Sequence, residues 1–148
     1  RRTLAKLARL PLAGVETAGV GGTSWARVES YRAGESTDRG RIGTRLAGFG
    51  VPTATSIRLA REAMPDRLVI GSGGLRTGLD AAVAIALGAD AVAMAKPFLQ
   101  AAMQGEDAVV QAIEEILLEL RIVAFCCGAA NLQELRRVRA FPPGSPQG

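Results

Sequence analysis

The chain has 148 residues, 48% of them hydrophobic, and a formal charge of +4, which suffices for one compact domain but includes no run near the roughly 18 apolar residues of a membrane span. Histidine is absent altogether, so chemistry that needs an imidazole base, Ser-His-Asp hydrolysis and most zinc sites included, cannot be completed within this chain. Its 18 lysines and arginines are scattered, without the aromatic interleaving of a nucleic-acid surface, and a phosphate-bearing ligand fits that charge better than DNA.

Taken in chain order, Thr3 to Leu10 has the character of a helix tail, and Ala13 to Ala18 that of a buried strand running into Gly19, diluted by Gly14 and Glu16. Residues Arg32 to Gly50 are polar and punctuated by glycine, and suggest a mobile active-site loop or a solvated connection. A helix is expected from Thr53 to about Met64, stopped by Pro65, with Ile57, Ala60 and Met64 inward. Leu68 to Gly71 is a β-branched run of the kind buried in parallel sheets, opening into Ser72-Gly73-Gly74. Thr77 and Asp80 have capping-box spacing, and Gly88 supplies a left-handed helix stop. Asp90 to Ala95 alternates as a strand. Beyond it, Val109, Ile113, Ile116, Leu117, Leu120, Val123 and Ala124 recur at three- and four-residue spacing, the mark of an amphipathic helix lying on the sheet. Cys126 and Cys127 fall in this apolar stretch and are expected to pack there; adjacent reduced thiols suit a cytoplasmic protein. Asn131 and Glu134 start a last short helix ending near Ala140. Residues 141–148 read as a disordered tail.

Alternating strands and helices require a parallel sheet, closed into a (β/α)8 barrel or open and doubly wound. Three strands cannot close a barrel, which typically needs about 250 residues. As a barrel, residues 1–140 form only the C-terminal part of one, with about three βα units.

Two glycine-rich turns carry the chemistry. After the first strand, Gly19-Val20-Gly21-Gly22-Thr23-Ser24 turns backbone amides inward and adds hydroxyls. After the second, Ser72-Gly73-Gly74-Leu75-Arg76 leads to a helix start whose dipole favours an anion. Ala95 and Lys96 at the end of the third form a further wall. Each turn alone is equally compatible with a tight connection and nothing more. Together, after successive strands near the end of a barrel, they match the usual place of a phosphate site.

These runs, with Trp25 to Glu29, Gly50-Val51-Pro52-Thr53, Ala86-Leu87-Gly88-Ala89-Asp90 and Pro97-Phe98-Leu99, resemble type 2 isopentenyl diphosphate isomerases in order and spacing over nearly the whole chain to Ala140. The later glycine motifs are shared with other FMN-dependent barrels, such as 2-hydroxy acid oxidases, and with inosine monophosphate dehydrogenase. Thr23, Trp25 and Glu29 are more particular to the isomerase. The oxidases' catalytic histidine has no counterpart here, and the cysteines lie far from the dehydrogenase's nucleophilic loop.

The resemblance implies a (β/α)8 TIM barrel that isomerises isopentenyl diphosphate to dimethylallyl diphosphate with reduced FMN and Mg2+, NADPH serving as reductant. It implies FMN contacts at Thr23, Gly74, Leu75, Arg76, Ala95 and Lys96, and catalytic positions at Trp25 and Glu29. A carboxylate one helical turn beyond the indole can relay a proton, and the indole can stack on cationic charge. The bland counterparts are a surface carboxylate at Glu29, core filling at Trp25 and a local helix cap at Ser24. Many members have a small residue where Lys96 stands and a serine where Ala18 stands. The Mg2+-binding glutamate belongs to earlier strands, so no metal ligand is expected here, and this chain alone is expected to be inactive. A homo-oligomer, or pairing with the missing barrel half, is the implied assembly. The alternatives are another FMN-dependent TIM-barrel oxidoreductase and a non-catalytic phosphate-binding half-barrel.

Overall fold

The computed structural model describes residues 2–140; the expected disordered tail, 141–148, lies outside them. The described elements in order are α1 (Arg2–Leu7), β1 (Gly14–Ala18), α2 (Trp25–Ala33), α3 (Asp38–Arg45), α4 (Thr53–Ala63), β2 (Leu68–Ser72), α5 (Gly78–Ala86), β3 (Ala91–Val92), α6 (Lys96–Ala102), α7 (Glu106–Cys126) and α8 (Leu132–Leu135). The strands form one parallel sheet in the order β1-β2-β3. Val15 stands opposite Val69, and Ile70 opposite Ala91. Parallel neighbours joined through helices are the βα repeat of a barrel wall. Three such units are present.

The core follows the apolar spacing. Ile57 and Ala60 of α4 are buried with Met64, and Ile57 joins Leu75, Ala84 and Ala89 in one cluster. A second cluster unites Ala82 and Ile85 of α5 with Ala129 and Leu135, flanked by Leu120 and Val123 of α7. The α5 start is a full capping box: the Asp80 amide donates to Thr77 Oγ1 (3.1 Å), and the Thr77 amide donates to Asp80 Oδ2 (3.1 Å). Gly88 (φ +111°) ends the helix as expected.

Four expectations need correction. The polar stretch from Arg32 to Gly50 is no mere loop, since α3 lies inside it. The amide of Gly40 donates to Thr37 Oγ1 (3.0 Å), and buried Ser30 of α2 donates to Gly40 O (2.8 Å) and shares a hydrogen bond with Thr44 (2.7 Å). Gly40 and Gly43 lower helix propensity, but Gly43 lets α3 lie close on Ala26 and Ser30 of α2, and Gly40 lets it lie against the turn at Gly34. The third strand is shorter than Asp90 to Ala95: Ala93 still donates to Gly71 O (2.9 Å), but β2 turns away at Gly73, and α6 begins at Lys96. The long helix α7 packs on α5 and α6 and not flat on the sheet. Cys126 and Cys127 are exposed thiols and not packing residues.

One charge network ties the units together. Arg61 of α4 pairs with Asp90 Oδ2 and donates to the carbonyls of Gly88 (2.8 Å), Pro65 (2.7 Å) and Arg67 (3.0 Å). Arg136 reaches Asp90 Oδ1 (3.0 Å), and the Val69 amide donates to Asp90 Oδ2 (2.8 Å). Desolvation pushes the Asp90 carboxyl up. The Val69 amide, the Arg61 hydrogen bond and the charges of both arginines outweigh it and hold the carboxyl below its ordinary value of 3.8.

Candidate cofactor site

The two glycine turns meet backbone to backbone beyond the C-terminal ends of β1 and β2. Gly73 (φ +101°) and Gly74 (φ +90°) are both left-handed. A side-chain carbon at residue 73 would lie 2.6 Å from Gly19 O, and one at 74 would overlap the Gly21 carbonyl. Only glycine satisfies both the dihedral and the space. Thr53, the first residue of α4, clamps the junction by donating from Oγ1 to Gly73 O (2.6 Å). The bridge between Val20 and Pro52, closed by the Val20 amide on Val51 O (2.8 Å), holds the first turn from its other side.

Beside this junction runs a groove of about 500 Å³. Thr23 and Trp25 line it from the first turn, Gly74, Leu75 and Arg76 from the second, and Ala95 and Lys96 from the β3–α6 corner. The six residues expected to contact a cofactor thus share one groove with Trp25. Trp25 is 75% exposed and fills no core. Ser24 acts as the α2 cap, its Oγ accepting from the Arg27 amide (3.3 Å). The helix α2 does begin at Trp25 and puts Glu29 one turn on, but Glu29 is exposed, lies outside the groove and pairs with Arg32 (3.2 Å). Glu16 lines the groove and was not singled out from sequence. Period-two alternation along β1 was the available signal, because it sets Glu16 on the same face as Ala18.

Electrostatics favour an anion at one end of the groove. Arg76 and Lys96 are exposed there and form no ion pair with any described residue. The amides of Gly22, Thr23, Gly73, Gly74 and Leu75 donate to no described residue. The N-terminus of α5 is not the anion site that its position suggested. Its leading amides are taken by the protein's own carboxylates: Arg76 N donates to Asp80 Oδ2 (2.8 Å) and Gly78 N to Glu119 Oε2 (2.5 Å). The free donors therefore lie in the turns, ahead of the helix.

The family profile described as FMN-dependent dehydrogenase matches residues 43–140, from within α3 to the end of the described chain. The chain belongs to the FMN-dependent dehydrogenase family. Among curated relatives, it is 48% identical over 139 residues to an isopentenyl-diphosphate delta-isomerase of a Synechococcus species, covering 94% of this chain and 40% of that protein. A protein of the same name from Methanosarcina barkeri is 43% identical, over 93% of this chain and 38% of its own length. The chain therefore spans about two fifths of the length of such relatives. Among solved structures, a mandelate oxidase variant with a monooxide FMN adduct superposes with a TM-score of 0.61 at 29% identity, over 93% of this chain and 44% of that one. Unmodified mandelate oxidase gives 0.60 at 28%. The fold is accordingly part of a TIM barrel, the first of the two architectures left open by the strand pattern, with its βα turns at the ligand-binding end.

The residues present fit the FMN of this family. A phosphate needs close approach to unengaged amides, a hydroxyl and positive charge, and the junction offers Gly73–Leu75, Thr23, and Arg76 with Lys96. A side chain at residue 74 would force the two turns of this cradle apart.

Proposed function

We propose that this chain supplies the FMN-phosphate half of the active site of an enzyme that converts isopentenyl diphosphate to dimethylallyl diphosphate. The observation that carries the reading is the convergence of Thr23, Gly74, Leu75, Arg76, Ala95, Lys96 and Trp25 on one groove, in a chain 41–48% identical to proteins named for that reaction. The amides of Gly73, Gly74 and Leu75 hold the phosphate, with Arg76 and Lys96 balancing its charge. Trp25 offers an indole face at the groove's mouth, where cationic character developing on the substrate's tertiary carbon is stabilised. Glu29 relays a proton once its side chain leaves Arg32 and turns toward the groove. Reduced FMN, when bound, supplies an electron-rich ring beside the substrate. The reaction adds a proton at one carbon and removes one from another, so electrons balance without net redox. Mg2+ for the diphosphate is held by residues outside this chain, and NADPH keeps the flavin reduced. The protein works in the cytoplasm as a homo-oligomer. No described helix is long and apolar enough to cross a membrane.

The test has two parts. Titrating the chain with FMN and following flavin fluorescence should give saturable binding, weakened at least tenfold by Arg76→Ala, since a hydrogen bond to a charged group contributes about 1.5–3 kcal/mol. The complete enzyme, given isopentenyl diphosphate, Mg2+ and reduced FMN, should release dimethylallyl diphosphate, with Trp25→Ala and Glu29→Gln slowing turnover more than they weaken FMN binding. Flavin reduction by a 2-hydroxy acid, with no isomerisation, would instead make it an oxidoreductase.

A further inference from the structure

Helix α7 presents to solvent a face that is complementary to itself. Its inward side, Val109, Ile116, Leu120 and Val123, is half-buried against the rest of the fold. On the far side, Val110, Leu117, Leu118 and Phe125 are 49%, 44%, 56% and 83% exposed, with Ile113 and Ile122 exposed on the two flanks. At about 100° per residue, Val110, Arg121, Glu114 and Phe125 fall within roughly 60° of one another around the helix. Glu114 and Arg121 are exposed and form no ion pair with any described residue.

The order along the helix is palindromic in chemistry: apolar Val110, acidic Glu114, the Leu117-Leu118 pair, basic Arg121, apolar Phe125. Laid antiparallel on a second copy, with the two-fold axis between Leu117 and Leu118, each Leu117 meets the other copy's Leu118. Each Glu114 then faces the other copy's Arg121, and each Val110 the other's Phe125. An isologous contact demands such self-complementarity. A parallel pairing in register would set Glu114 on Glu114 and Arg121 on Arg121. Unpaired apolar side chains with charges between them describe an interface core that specifies its partner's direction. We infer that α7 is a two-fold interface, and that its partner is α7 of a second copy of this chain, packed antiparallel. The interface stands apart from the cofactor groove and does not depend on the reading of it.

The experiment is sedimentation equilibrium on the full chain. Wild type should associate with micromolar affinity. Glu114→Arg alone and Arg121→Glu alone should each weaken association at least tenfold, because each sets like charges opposite one another twice. An equimolar mixture of the two single variants should associate at wild-type strength, since both ion pairs reform across the heterodimer, and the double exchange should self-associate likewise. Circular dichroism on every variant separates lost folding from lost association, because both sites are exposed. A monomeric wild type, or association that ignores the single changes or is not restored by mixing, would overturn the proposal and leave this face to another segment or partner.

Discussion

At Gly74 a single hydrogen in place of a side chain decides whether the two turns can meet. Gly74→Ala meets both a left-handed backbone and the Gly21 carbonyl, and should destabilise the chain by more than about 1 kcal/mol while abolishing FMN binding. Thermal melting and fluorescence titration check the two effects separately. Asp90 shows a second residue-scale dependence. Its carboxyl is held below 3.8 in the fold, so its contribution is complete above that ordinary value and is lost as pH falls through the lower folded one. Melting temperatures between neutral and strongly acid pH should drop with a step that Asp90→Ala removes, and the substitution should cost about 2 kcal/mol at neutral pH. The need for glycine at residues 73 and 74 was visible in sequence as a run after a strand. The fate of the amides around it was not. Asp80's hold on the α5 N-terminus follows its capping-box spacing, but that of Glu119 depends on where α7 lies, and no local pattern carries that information.

Elements were legible where burial sets the period. The inward face of α4, the β-branched run of β2 and the capping box of α5 all appear where their spacing puts them, because each has one side against the core. Thr77→Ala should cost about 1 kcal/mol through the lost cap, and Ile57→Ala about 3 kcal/mol through the cavity left at a fully buried site; urea titration checks both. α3 was hidden because its glycines, which let it lie against α2 and the turn that follows, weaken the helical signal. The end of β3 escaped because strand length is fixed by the neighbour's turn at Gly73, a property of the sheet and not of residues 93–95. Exposure of Trp25 was beyond local reading, since it depends on the direction in which α2 leaves the first turn, whereas the Glu29–Arg32 pair is an i,i+3 contact that helical spacing alone allows.

For the whole molecule, β2 alone is paired on both sides, while β1 and β3 each present an open edge among the described residues. Amide hydrogen exchange should therefore be slowest in Leu68–Ser72 and distinctly faster in Gly14–Ala18. Alternating elements called for a parallel sheet and the resemblance for a TIM barrel, and the match to about two fifths of longer relatives agrees with the strand count. The junction of the glycine turns has one more implication. Gly19–Gly22 and Gly73–Gly74 meet peptide to peptide, pinned by the Thr53 hydroxyl, with no layer of bulky side chains that a rotamer change could compress or loosen. The ends of β1 and β2 are thus joined as a stiff coupling, and a ligand that grips one turn fixes the position of the other by direct mechanical transmission.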